Sequence, residues 1–205
     1  EAAGPEAALC LCGYIGLTEQ GLYARFARAQ FEEMDFDRAF AVRDWSLVAT
    51  PAWLARKSAL DRAGGFDEDL PARNDWELAL RLAAVGRIVF VDAPLYVQDQ
   101  IHISTMRKNE IAFARALQHI ERKHGARWAL RHDTLAVHSW FIGKGELIAG
   151  NKPLARQWLR RSLRFAPWNS KAWALLGSSY VDERWMKRLL ALKARVDGAR
   201  MKRSR

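Results

Sequence analysis

An α/β domain followed by an all-α module is the fold class this sequence predicts. Strand-like apolar runs occur at residues 7–17 and 88–91, with helical stretches between them. From about residue 105 the apolar period becomes helical and stays so. Half of the residues are hydrophobic and 27% are charged, a balance that excludes a disordered chain. Nine tryptophans, several at helical spacing, predict well-filled cores. No apolar run reaches the roughly 18 residues that a membrane-spanning helix needs.

Residues 7–17 read as a strand that enters a hairpin at Thr18-Glu19-Gln20-Gly21. Cys10 and Cys12 stand two apart on it, so both face one side. With no further ligands nearby they are expected to be reduced and buried, as in a cytosolic protein. Residues 22–45 give no clear pattern. Residues 46–50 are strand-like and stop at Pro51, Trp53-Leu54-Ala55 resume the strand, and residues 57–63 make a short helix ended by Gly64-Gly65. A loop follows. Asn74 then reads as a helix N-cap with Glu77 three residues on, a capping-box arrangement, and Gly86 closes that helix. Ile88-Val89-Phe90-Val91 reads as a short buried strand, Asp92-Ala93-Pro94-Leu95 as a turn, and a second short strand is expected after it.

Ile111, Ala114, Leu117 and Ile120 fit one face of a helix. Further helices are expected over residues 127–149, 152–165, 170–181 and 183–197. In this tail Pro167 is followed by Trp173, Leu176, Gly177 and Tyr180, and Gly143 stands one period of about 34 residues before Gly177. Ala155 falls where two helices must approach closely, and Gly150 at the turn between them. These residues resemble one tetratricopeptide (TPR) repeat and the first helix of another, with Ser139 and Glu146 replacing the Trp and Tyr of the earlier one. A generic helical hairpin is the alternative. A lone repeat buries its face on a neighbour, so the tail is expected to pack on the α/β part or on another subunit.

Three runs carry the functional signal: Arg56-Lys57-Ser58-Ala59-Leu60-Asp61-Arg62-Ala63-Gly64-Gly65-Phe66-Asp67-Glu68, then Asn74-Asp75-Trp76-Glu77-Leu78-Ala79-Leu80-Arg81-Leu82, then Val91-Asp92-Ala93-Pro94-Leu95-Tyr96. Their order and gaps resemble those of family 2 glycosyltransferases, whose runs read R-R-x-A-L-x-x-x-G-G-F-D-E, E-D-W-D-L-W-L-R and V-D-x-P-L-x-x-Y. The resemblance covers roughly residues 5–108. It implies the C-terminal, acceptor-side half of a GT-A fold over residues 1–108, joined by a connecting helix, 109–134, to the TPR-like tail with its basic C-terminus, 135–205. The chain opens on Glu1 inside a strand-like run, and the sugar-nucleotide-binding half is expected upstream of it.

What the resemblance implies is an inverting transferase. It would move a sugar from a nucleotide-sugar donor to a hydroxyl acceptor, a cell-surface glycan or a lipid-linked acceptor such as a glycolipid. A divalent metal, Mg or Mn, is expected in the whole enzyme, with its D-x-D ligands mostly outside this chain. Asp75 matches the acidic residue that serves the family as catalytic base. An acceptor hydroxyl is a poor nucleophile at neutral pH, and a carboxylate that takes its proton is worth roughly 10² to 10⁴ in rate. The start of a helix favours the charged form of such an acid; a first-turn acid with no further role is the alternative. The family's Glu is Asn74 here, which can donate to a hydroxyl but carries no charge. Gly64, Gly65, Asp67, Asn74 and Trp76 are expected in the acceptor wall, with Asp67 equally a turn-former. Asp99 or His102 is expected near the metal and diphosphate, where the family often has a His; a surface loop is the other reading. The strings Asp35-Phe36-Asp37 and Asp67-Glu68-Asp69 lack the preceding buried strand that a metal motif needs, so neither is a candidate metal site.

The net charge is +10, much of it late in the chain. Such a surface suits nucleic acid, anionic lipid or an anionic substrate. No zinc, helix-turn-helix or RNA-binding signature is present, so no nucleic-acid partner is expected. Trp185, Met186, Leu189, Leu190 and Val196 with interleaved Lys and Arg are expected to rest on an anionic membrane or to form a solvated basic face. The expected location is cytoplasmic, peripheral to the inner face of the membrane where that contact holds. The alternative function is a non-enzymatic interaction module worked by the TPR-like helices.

Overall fold

The computed structural model describes residues 6–26, 50–99, 101, 109–129 and 131–181. Strand β1 (Ala7–Thr18) is the spine of a four-stranded mixed sheet. It turns into β2 (Gly21–Arg25), where Gly21 takes φ +123° and Thr18 Oγ1 donates to its carbonyl at 2.9 Å. That left-handed step is one only glycine adopts freely. β2 pairs antiparallel with the C-terminal half of β1, and β3 (Trp53–Ala55) antiparallel with the N-terminal half. β4 (Arg87–Asp99) runs parallel to β1 over nearly its whole length. Leu9 therefore faces Ala55 on one side and Ile88 on the other, and β2 and β3 share the edge opposite β4.

β4 corrects an expectation. Two short strands split by a turn are predicted, and one strand of 13 residues forms. The ladder slips between Cys12↔Val91 and Gly13↔Pro94, so Asp92 and Ala93 bulge out of it. Pro94 has no N–H to give and sits at that slip, where none is required. Alternation sends Leu9, Leu11, Ala55, Ile88 and Phe90 into the core, and Cys10, Leu54, Val89 and Val91 to the other face. Both cysteines are free thiols; Cys12 is buried and Cys10 half-buried.

Helix α1 (Lys57–Ala63) ends on Gly64 and Gly65, at φ +83° and +67°, whose N–H groups both reach Leu60 O, at 3.0 and 3.1 Å. Helix α2 (Asn74–Val85) stops at Gly86. A Cβ there would stand 2.8 Å from Ala8 Cβ, so glycine lets β4 begin beside β1. Helix α3 (Glu110–His124) starts at a capped turn, Asn109 Oδ1 accepting from Ala112 N at 3.0 Å. The single helix expected over 127–149 is broken: a 3₁₀ turn (Gly125–Trp128) buries Trp128, and α4 (His132–Ile148) begins after it. Helices α5 (Lys152–Phe165) and α6 (Ser170–Ser178) follow. The expected elements at 46–49 and 183–197 lie outside the described residues. Among the described residues, no helix is long and apolar enough to cross a membrane.

One core joins the sheet to α1, α2, α3 and α4, through Leu9, Leu11, Ala59, Leu80, Ile120 and Ile142. The step from residue 108 to 109 is therefore no break between cores: the helical part packs on the α/β layer. A smaller cluster, Leu159, Leu163, Ala172 and Leu176, joins α5 to α6. α4 and α5 run antiparallel about Gly150 (φ +82°), with Ser162 Oγ donating to Ala136 O at 2.7 Å. A Cβ on Gly143 would lie 2.7 Å from Leu159 Cγ and 3.2 Å from Ala155 O. Gly145 is as confined on the opposite side, where α4 crosses α3: a Cβ would lie 2.8 Å from Glu110 O and collide with Ala114 Cβ.

Gly145→Ala therefore sets propensity against packing. Alanine favours an isolated helix by about 1 kcal/mol, whereas overfilling a tight crossing costs about 1–3 kcal/mol. We expect net destabilisation in urea unfolding. A more stable variant would mean that α3 and α4 are further apart than described.

Candidate functional site

The loop between α1 and α2 is held at several points. Asp67 Oδ1 accepts from Asp69 N at 3.1 Å, closing a local turn. Asn74 Nδ2 donates to the carbonyls of Asp67, at 3.0 Å, and Leu70, at 3.2 Å. Asp67 Oδ2 accepts from Lys123 Nζ at 2.7 Å and lies 3.1 Å from His119 Nε2, both on α3. The Lys123 hydrogen bond holds the Asp67 carboxyl below the usual carboxylate range. Asp67 is thus the loop's turn-former and its anchor.

Asn74 is not the N-cap. Arg73 stands there, in the left-handed region at φ 64° and with no side-chain cap, and Asn74 is the first helical residue. Such a conformation costs a non-glycine residue about 1 kcal/mol or more. The Arg73 guanidinium lies over the Phe113 ring of α3, 4.7 Å from its centroid, which fixes the residue in place.

Glu77 makes no capping box either. It is fully buried and faces α3. Arg81 Nε donates to both its oxygens at 2.9 Å, Lys123 Nζ stands 2.9 Å from Oε1, and His124 Nε2 lies 2.8 Å from the same oxygen. Burial alone would raise its pKa; hydrogen bonds from His124, Arg81 and Lys123 outweigh it and hold the carboxyl far below the usual range. Arg81 also donates to Ala63 O, at the end of α1. Lys123 bridges Asp67 and Glu77, so one ammonium ties the loop and α2 to α3.

Asp75 is partly exposed in the first turn of α2, and its Oδ1 accepts from Trp76 N at 2.8 Å. Gly64, Gly65, Asp67, Asn74 and Asp75 are gathered around this one loop. Trp76 is a correction. Its ring is 1% exposed and meets His138 of α4 edge-on at 5.8 Å, so it holds α2 to α4 and presents no surface to an acceptor. Asp99 is exposed at the end of β4, its Oδ1 accepting from Ile101 N at 2.9 Å. His102 and Asp35-Phe36-Asp37 lie outside the described residues. Asp67-Glu68-Asp69 does not fit a cation, because Lys123 occupies Asp67. Among the described residues, no three His, Cys, Asp or Glu gather as metal ligands. A cavity of about 260 Å³ at the β1–β3 edge, lined by Cys10, Leu54 and Arg56 among others, contains none of the predicted site residues. Burial, with Cys12 beside it, pushes the Cys10 thiol up.

Sequence reasoning missed His138. It is fully buried between the rings of Trp76 and Trp128, at 5.8 and 5.2 Å, and neither ring nitrogen has a hydrogen-bond partner. Burial pushes its pKa down to about 4, helped by the charge of Arg161 from α5. No protein-family model, curated protein or solved structure matches this chain. Its own motifs and geometry carry the functional reading.

Two predictions follow from the buried groups. Glu77→Ala would leave Arg81, Lys123 and His124 facing one another, and we expect a loss of about 3–5 kcal/mol in urea unfolding. A loss below about 1 kcal/mol, a surface pair's worth, would show the network to be superficial. Acid should act in two stages. The unfolded chain protonates His138 near its ordinary value of 6.5 while the folded chain resists to about 4, so stability falls across that window by on the order of 3 kcal/mol. Glu77 has a lowered folded pKa, so its contribution is full above its ordinary value of 4.5 and is lost as pH falls below it. His138→Phe should flatten the upper stage in pH-dependent unfolding and leave the lower one. An unchanged upper stage would assign it to another group.

Proposed function

We propose that this chain carries the acceptor side of an inverting family 2 glycosyltransferase in a GT-A arrangement, and that Asp75 is its base. One observation carries the reading. The residues of the first two motif runs meet in a loop that Asn74, Asp67 and Lys123 lock in place, and that loop delivers a partly exposed carboxylate at the first turn of a helix. A base needs such a fixed backbone, a favourable local field and access to its substrate. In the step, the acceptor oxygen attacks the anomeric carbon, Asp75 takes the hydroxyl proton, and the nucleotide diphosphate leaves with the bonding electrons. Configuration inverts.

The nucleotide-sugar donor and a divalent metal, Mg or Mn, belong in this reading to the family's other half. The metal when bound would offset charge on the diphosphate. The sheet face away from the helices fits such a neighbour, with Leu54 77% and Val97 64% exposed. The acceptor would be a cell-surface glycan or a lipid-linked sugar. In the tail, the close approach of Gly143 to Ala155 and Leu159 supports the TPR-like reading. A non-enzymatic interaction role for those helices is the second reading.

In the complete transferase, Asp75→Asn should lower kcat by about 10²- to 10⁴-fold with little change in KM for the donor. Undiminished turnover would remove Asp75 as base. Absence of any sugar transfer by the unaltered enzyme, across a panel of nucleotide sugars, would favour the interaction module.

A further inference from the structure

Residues 147–181 contain six Lys and Arg and no Asp or Glu. Of the six, Arg161 alone has an acidic partner among the described residues, Glu121 of α3. Lys152 donates to Val181 O at 3.0 Å, Arg156 to Ser179 O, and Arg160 to Tyr180 Oη; these bonds fix the cations without cancelling their charge. Arg164 and Lys171 are exposed at the corner where α5 passes into α6, with no ion pair among the described residues. The same corner exposes two indoles, Trp168 at 81% and Trp173 at 55%. Trp173 Nε1 donates to Pro167 O at 2.8 Å, which draws its ring back beside the residue that precedes Trp168.

Exposed apolar rings beside exposed cations mark a surface that meets a partner. Exposed indoles and exposed cations at one corner match the chemistry of a bilayer interface: the rings sit at headgroup depth and the cations meet anionic lipid. Single-stranded nucleic acid also attracts aromatic and basic residues, but it is bound in a groove that tracks its backbone, and these side chains stand at the last turn of α5, on the turn after it and on the first turn of α6. The sequence beyond residue 181 has nine Lys and Arg against three acids, so the C-terminal part of the chain is basic in sequence as well. We propose that the α5–α6 corner, through Trp168, Trp173, Arg164 and Lys171, docks the protein on an anionic membrane surface. This docking is independent of the transferase reading.

The test is co-sedimentation of the full chain with phosphatidylcholine vesicles, with and without phosphatidylglycerol. Binding is expected only with phosphatidylglycerol, and high salt should release it. Arg164→Gln and Lys171→Gln should each weaken it about fivefold, and Trp168→Ser by roughly tenfold. All three side chains are on the surface, and unchanged thermal unfolding of the variants confirms intact folding. The proposal fails if the chain ignores phosphatidylglycerol vesicles, or if the triple variant binds them as well as the parent, which would place the contact elsewhere. It also fails if a single-stranded RNA oligonucleotide binds in a Trp168-dependent way while vesicles do not.

Discussion

The burial of Glu77 is the constraint on which the rest of this structure depends. A carboxylate with no exposed surface costs several kcal/mol in lost hydration, and only close cations with hydrogen bonds can offset that. Arg81 and Lys123 supply the cations, and His124 lies within hydrogen-bond distance of the same carboxylate. Arg81 comes from the same helix, one turn on. Lys123 and His124 come from α3, so the charge is satisfied only when α3 lies against α2. An apolar contact tolerates a range of helix placements; this one does not. The arrangement of the helical part on the α/β layer is thus fixed by geometry as well as by area buried.

Lys123 carries that constraint outward. Because its ammonium also meets Asp67, the position of α3 sets the position of the α1–α2 loop. The loop then sets the start of α2 through Asn74, and the left-handed Arg73 is kept there by Phe113, again on α3. Two side chains of α3, Lys123 and Phe113, hold the strained connection between α1 and α2. The same core also buries unpaired polar groups. His138 is buried with both nitrogens unbonded, and the indole N–H of Trp128 beside it also lacks a hydrogen-bond partner. Van der Waals contact and apolar burial hold this junction, with its polar groups left as liabilities.

How much of this was legible from residues depends on the range over which each feature is decided. Gly64-Gly65 ends its helix and Thr18 to Gly21 makes its hairpin because left-handed glycines and short turns are local. Gly143 and Ala155 stand out in the sequence as small residues at helix-packing spacing, and the structure brings them close, whereas Gly177 one period on faces open space. Glu77 misled because its signal was ambiguous: an acid three residues after an Asn is what a capping box and a buried anchor both look like, and only α3 decides between them. Trp76 misled for the same reason, since its place in a motif says nothing of the ring of His138 across the core. The bulge in β4 depends on the register of β1, and the break before α4 on the burial of Trp128. Each of these is set by residues dozens of positions away.

The same distinction bears on which acid could serve chemistry. Of the carboxylates on the loop and the first turn of α2, Asp67 and Glu77 are the two that hold α3. Asp67 and Glu77 each accept from Lys123, and both are held below the ordinary range by that and their other partners. A group so stabilised as an anion is a weak base, and neither could swing toward a substrate without releasing α3. Asp75 lies between them in sequence, on the helix turn they immobilise, with part of its surface open to solvent. Its neighbours are used up in holding it still. In the proposed reading, a base needs a rigid support and a partly exposed carboxylate, and Asp75 on this immobilised turn is the acid whose replacement bears on chemistry, whereas replacing Asp67 or Glu77 disturbs the packing of α3.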